Sequence, residues 1–496
     1  MASPKKKFKT VILLILAVGL FLRLYKIEIP LLEFYPSRQI QTAEIARNFY
    51  REGMSILSPA VHYLGPGPGT FLVEFPLYNY IVASIYQITG GINEVWGRLF
   101  SILGWIISCY FLLKIAKKYV GNFAANISLF FYSLSPLSIL VSRSFQPDQW
   151  MLTFSLGSIF YLLGRHVFLS ALLASLAILT KIPAALFTLI PAVYLLWLDR
   201  KRSYLIYGYL LISTLPSILW YLYVINVNKG GILFGSTRIE GWFGFEVFLN
   251  PKYWSTIFGF EMNLVILPIG MILFTAGLFT KLKPSQRFFY IWLASIVFYF
   301  LIFNKHNMTH EYYHLPFLPI AAIFIGIVSG KIMDNLKNTI LPKRFLLLIF
   351  SILVFILMLP PTLQRAYKPI DRFKNVPLAA KIIQENTNSE DLIIGSMDAG
   401  PTLVYYSSRS GWSFEVNRSG SEQEFAFYGV KNMAIVDPVK DIENLRRQGA
   451  VLFASANKNQ FQSNTRFANY MYSNYRVLEE TDSYIIFDIV SPLSGR

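Results

Sequence analysis

The chain has 496 residues, of which 54% are hydrophobic and 16% aromatic but only 15% charged. That composition excludes a soluble globular protein, and apolar runs near the ~20 residues of a bilayer crossing recur along it, so it reads as a polytopic α-helical membrane protein. The net charge of +17 comes from short Lys/Arg clusters between apolar runs rather than from one basic face, which makes it a topology signal and gives no case for a nucleic-acid partner.

Lys5-Lys6-Lys7 precedes the first apolar run, Thr10 to Tyr25, and no small-residue cleavage site follows it. The expectation is an uncleaved first helix with its N-terminus in the cytoplasm. Residues 28–73 are too long and polar for a simple connection; they hold an amphipathic "TAEIARNFY" helix and a turn-rich "LGPGPG". Further spans are expected at 76–90, 97–116, 122–141, 149–164, 167–180, 183–198, 204–224, 259–280, 287–303, 315–334 and 343–360, in a bundle of about 11–13 transmembrane helices. The runs do not alternate polar with apolar residues, which excludes a barrel. The one cysteine, Cys109, lies inside an apolar run and leaves no role for disulfides.

Basic connectors at Arg200-Lys201-Arg202, Lys281-Leu282-Lys283 and Lys343-Arg344 place the later loops in the cytoplasm. Residues 226–258, 304–314 and everything beyond Leu359 then lie outside, in a multi-pass plasma-membrane protein. "KIAKKYVGN", Lys114 to Asn122, conflicts with a forward count of crossings, so 76–90, 149–164 and 167–180 are the candidates for a segment that does not cross. The division expected is a membrane domain over 1–360, with its first extracytoplasmic loop at 28–73, and a small extracytoplasmic α/β domain over 361–496. In the latter "VPLAAKIIQEN", "PVKDIENLRRQG" and "NTRFANYMYSNY" read as helices and "DLIIGSM", "AVLFAS" and "SYIIFDIV" as strands.

Three groups of residues carry chemistry. His310-Glu311-Tyr312-Tyr313-His314 fits the H-E-x-x-H pattern, which in an intramembrane zinc metalloprotease needs both histidines on one helix face; Pro316 and Pro319 follow at once, and the competing readings are a chance match and an outer loop that touches ligand. Carboxylates at membrane depth each cost roughly 2.5–3.5 kcal/mol without a partner. Glu74 and Asp148 open apolar runs, where they read either as helix caps or as an acidic pocket that deprotonates a hydroxyl or holds a divalent metal ion. Arg38, Arg47, Arg143 and Lys181 are either interfacial cations or ligands of an anionic lipid head group.

The ordered set "FYPSRQIQTAEIARNFYREG", "VEFPLYNYIVASIY", "GRLFSILG", "SPLSILVSRSFQPDQWM", "LTKIPA" and "HEYYHLPFLP" resembles glycosyltransferase family 39 and its bacterial relatives, the protein mannosyltransferases and lipid A aminoarabinose transferases, over about the first 330 residues. The resemblance implies a GT-C bundle, a polyprenyl-phosphate-linked sugar donor, and a lipid, glycan or protein acceptor that meets it at the outer membrane face. By position, Glu74 and Asp148 match the relatives' cavity carboxylates. Those relatives carry an acidic pair early in the first loop where this chain has Ser37-Arg38, so the base stays open among Asp148, Glu74, Glu44 and Glu33. Direct displacement with inversion is the expected route. Arg38, Gln39, Arg47, Arg143, Lys181, Lys305, His306, His310, Tyr313 and His314 are the expected substrate contacts. The rival class is a lipid or solute transporter, which predicts internal repeats that are not seen in the sequence.

Overall fold

The computed structural model describes residues 4–201, 203–228, 242–336, 343–396, 401–417 and 437–493. They form two compact units: one from Met1–Ile27, Gly97–Tyr223 and Arg238–Tyr367, the other from Glu28–Trp96, Val224–Thr237 and Lys368–Arg496. The polar first loop thus packs in one unit with the C-terminal region. Leu77–Thr89, one of the three weak spans, belongs to that second unit as well.

The first unit is a helical bundle. Each predicted span within it coincides with a helix or a bent pair of helices, among them Pro4–Leu24, Glu94–Val120, Asp148–Leu163, Val167–Thr180, Phe288–Ile302 and Phe317–Leu336. Four described helices are long and apolar enough to cross a bilayer alone, and six count when each bent pair is one span. The bends have local causes. Asn122–Leu134 and Pro136–Arg143 meet at 57° because Ser135 precedes a proline, takes an extended conformation and caps the second helix from its hydroxyl. Pro251–Val265 and Leu267–Leu278 meet at 106°; the first ends in a π-helical turn, Glu261–Val265, and Leu267, again before a proline, sits at φ 61°. Arg23 pins the first helix into the bundle. It is fully buried, donates to Ser138 and Ser142 and to the carbonyls of Gly19 and Ser133, and lies 3.8 Å over the Trp105 ring.

In the second unit the first loop supplies the helix Pro36–Glu52 and short strands β1 (Ala60–Val61), β2 (Leu64–Gly65) and β3 (Gly69–Thr70), with β1 antiparallel to β3. The C-terminal region adds β4 (Leu392–Ser396), β5 (Ser410–Phe414), β6 (Ala450–Ser455), β7 (Arg476–Glu480) and β8 (Ile485–Asp488). They form one sheet of order β2-β5-β4-β6-β8-β7, parallel at β5-β4-β6 and antiparallel elsewhere. "LGPGPG", expected only as a turn, thus contributes the edge strand β2. Trp412, Phe414, Phe453, Phe467 and Phe487 fill the core of this region. Gly411 is required at the β4–β5 join, because a Cβ there would stand 1.9 Å from the Ile393 carbonyl oxygen. Tyr405 and Trp412 are buried, and Arg409 between them donates to Thr387 and to the Ser407 carbonyl.

Candidate functional site

In the bundle, Asp148 opens its helix immediately after Pro147, where the helix dipole favours a carboxylate. Lys181, in extended backbone, ends the following helix, Val167–Thr180; the short loop 164–166 folds the two helices back on each other, so the start of the first and the end of the second lie side by side. Lys181 Nζ donates to Asp148 Oδ1 at 2.6 Å, and both side chains are buried. Asp148 Oδ2, equally buried, makes no hydrogen bond among the described residues. The same ammonium lies 4.7 and 4.8 Å from the ring centroids of Tyr312 and Tyr313. A lysine held between a carboxylate and two π faces is oriented as well as neutralised.

The turn that carries those tyrosines is anchored by Tyr299, whose hydroxyl donates to the Tyr313 carbonyl at 3.0 Å. His306 meets Tyr313 edge-on, with centroids 5.5 Å apart, and His310 stacks on Tyr312 at 5.3 Å. Burial, with Lys181 nearby, lowers the His306 pKa to about 4. His306 is therefore a neutral imidazole near pH 7. Lys305 instead pairs with Glu246 at 3.2 Å on the surface.

Several expected substrate contacts are structural. His314 is fully buried, with Nδ1 2.7 Å from Glu261 Oε1 and Nε2 2.9 Å from the Asn307 carbonyl oxygen. A carbonyl only accepts, so Nε2 carries hydrogen and Nδ1 shares a proton with Glu261; the ring ties the π-helical turn to the loop and does not face a ligand. Arg143, also buried, donates to the carbonyls of Tyr25 and Lys26 and lies 5.0 Å from the Tyr367 ring centroid, sealing the end of the first helix. The protease reading falls with the same geometry. His310 is extended, Glu311–His314 is a 3-10 turn and Glu311 accepts from Arg365 at 3.0 Å, so the two histidines do not share an α-helical face.

The remaining candidates lie in the second unit. Glu74 pairs with Arg38, which also donates to Gln41. Gln39 donates to the Phe34 carbonyl at 2.6 Å. Glu44 accepts from the His62 amide at 2.9 Å and from Arg47 at 3.4 Å, and burial raises its pKa despite that arginine. Arg47 donates to the Tyr405 carbonyl at 2.8 Å and stacks on that ring, which makes it an internal brace. Glu33 is buried. Among the described residues no three His, Cys, Asp or Glu side chains converge, and Glu74 and Asp148 each face a cation.

Residues 73–221 match the family model described as dolichyl-phosphate-mannose-protein mannosyltransferase. The chain is similar in structure to ArnT from Cupriavidus metallidurans bound to undecaprenyl phosphate, with a TM-score of 0.63 at 16% identity over 96% of this chain and 97% of that one. The chain is a multi-pass membrane protein with the GT-C glycosyltransferase fold. The same fold relates this chain to the archaeal oligosaccharyltransferase AglB from Archaeoglobus fulgidus, solved with an inhibitory peptide and a dolichol-phosphate (TM-score 0.58, 11% identity, 97% of this chain and 74% of that one). It also relates it to the mycobacterial arabinofuranosyltransferase AftD (TM-score 0.54, 12% identity, 99% and 40%). An uncharacterized protein of Aquifex aeolicus is 26% identical over 288 residues, 57% of this chain and 66% of that protein's length. Asp148 and Lys181 both fall inside the matched segment 73–221.

Proposed function

We propose that this protein transfers a sugar from a polyprenyl-phosphate-linked donor to an acceptor hydroxyl at the extracytoplasmic face of the plasma membrane, with Asp148 as base. The observation that carries the reading is the buried Asp148–Lys181 pair with one carboxylate oxygen left unbonded, in the fold and matched segment of lipid-linked sugar transferases. The acceptor hydroxyl gives its proton to Asp148 Oδ2 as its oxygen bonds to the anomeric carbon. The bond from that carbon to the phosphate oxygen breaks on the opposite side, and polyprenyl phosphate leaves with the electron pair, so configuration inverts. Lys181 stabilises the departing phosphate, which is a good leaving group without a general acid. His306, neutral, offers hydrogen bonding without adding positive charge.

Asp148 Oδ2 is shut from solvent in this conformation, so substrate enters when the Tyr312–Tyr313 turn that roofs Lys181 draws back. This orientation puts the N-terminus in the cytoplasm and the C-terminal region outside. The test is transfer from a panel of radiolabelled polyprenyl-phosphate sugars to membrane lipid, glycan and protein. Wild-type membranes transfer label and Asp148→Asn membranes at equal expression do not. Undiminished transfer by Asp148→Asn refutes the assignment.

A further inference from the structure

Gln146 lies two residues before Asp148 on the turn that joins Pro136–Arg143 to the Asp148 helix. Its side chain is completely buried, and neither the amide nitrogen nor the amide oxygen makes a hydrogen bond among the described residues. Its backbone is fixed: the amide N–H donates to the Ser144 carbonyl at 2.9 Å and the carbonyl accepts from the Ser101 hydroxyl at 3.3 Å. A carboxamide stripped of water with both ends idle is costly in a low-dielectric bundle, and buried amides are nearly always bonded. Within two residues of backbone the turn therefore presents an idle donor, an idle acceptor and, at Asp148 Oδ2, an idle proton acceptor.

We infer that the Gln146 carboxamide binds a sugar hydroxyl of the donor at the Asp148 site. A phosphate takes donors only and would leave the amide oxygen idle, whereas a sugar hydroxyl both donates and accepts and satisfies the whole group. Gln146 thereby distinguishes a sugar-bearing lipid phosphate from the bare one, while Lys181 answers the phosphate that both share. This inference rests on the glycosyltransferase reading.

The test compares Gln146→Met, close in volume and with no polar atom, with wild type as purified full-length protein. The probes are undecaprenyl phosphate alone and undecaprenyl phosphate carrying mannose, glucose or arabinofuranose, read by ligand-induced thermal stabilisation. Wild type is expected to bind at least one sugar-bearing lipid roughly tenfold to a hundredfold more tightly than the bare lipid, and Gln146→Met to bind the two alike. Ligand-free Gln146→Met is expected to melt no lower than wild type, because it removes an unsatisfied buried amide. Lower ligand-free stability with discrimination kept makes Gln146 a structural residue and overturns the inference. Response to bare and sugar-bearing lipid alike in wild type also overturns it but leaves a lipid-phosphate site standing; no response of wild type to any probe removes that site and the inference together.

Discussion

Lys181→Met tests the central pair by stability alone. The ammonium sits 2.6 Å from Asp148 Oδ1 and both groups are buried, so removing the lysine leaves an uncompensated carboxylate inside the bundle. Breaking a buried ion pair from one side costs about 3–5 kcal/mol, whereas removing both charges with their volumes kept is close to neutral. Contact with two tyrosine faces adds about 0.5–1 kcal/mol per ring that the methionine does not recover. The expected order is therefore Lys181→Met far below wild type, Asp148→Asn intermediate because an amide oxygen still accepts from Lys181, and Asp148→Asn/Lys181→Met above the single lysine variant. Denaturant unfolding of the purified protein in detergent, arranged as a double-mutant cycle, reads the coupling, which should reach about 2 kcal/mol or more. Effects that add to within about 0.5 kcal/mol would mean that the pair is not the buried unit described and would refute the reasoning.

His314→Gln is expected to lower thermal stability and leave the donor KM of the folded fraction unchanged, since its ring ties Glu261 to Asn307; a KM change at unchanged stability would return His314 to the ligand contacts. His306 is depressed to about 4 in the folded protein from an ordinary value near 6.5, so the unfolded chain binds more protons between these values. Its contribution to stability is complete above pH 6.5 and is lost as the pH falls toward 4; His306→Asn should flatten the stability–pH curve in that window, and an unchanged slope would contradict the buried neutral ring. Gly411→Ala places a Cβ 1.9 Å from the Ile393 oxygen and is expected to open β5 at its β2 and β4 sides, detected as faster limited proteolysis near residues 60–70 and 410; cleavage at the wild-type rate would count against that join.

The helices of the bundle were legible because apolar length is written directly in the sequence, and Asp148 and Lys181 stood out as charges at the ends of apolar runs. Their pairing was not legible, since the partners are 33 residues apart and composition does not say which helix ends meet. The internal partners of Arg47 and Arg143 were hidden for the same reason: a sequence shows a cation but not that it faces the Tyr405 carbonyl or the end of the first helix. The H-E-x-x-H match misled because the pattern assumes a helix, while His310 is extended and Glu311–His314 turns as a 3-10 helix ahead of Pro316. Strands β5 and β7 escaped because "SGWSF" breaks its run with glycine and serine, and "RVLEE" carries the charges of an edge strand. Gln146 gave no signal, as a neutral amide is unremarked until its burial is known.

Of the cations nominated for a lipid phosphate, Arg47 and Arg143 are engaged with carbonyls, Arg38 with Glu74, Lys305 with Glu246 and Lys181 with Asp148. Lys181 gives one of its three N–H donors to Asp148, so in the proposed mechanism a bound phosphate shares the ammonium's charge with the carboxylate, and donor and Asp148 compete for it. In that mechanism the competition serves the reaction, because a carboxylate whose ion pair is weakened takes a proton more readily when the acceptor hydroxyl arrives. It also has a sign that simple loss of a residue does not share. Asp148→Asn releases Lys181 from its charged partner and should bind bare undecaprenyl phosphate at least as tightly as wild type while transferring nothing, and Lys181→Met should lose that binding. Weaker lipid-phosphate binding by folded Asp148→Asn would show that the carboxylate supports the phosphate site rather than competing with it, and the base would then have to be sought at Glu74.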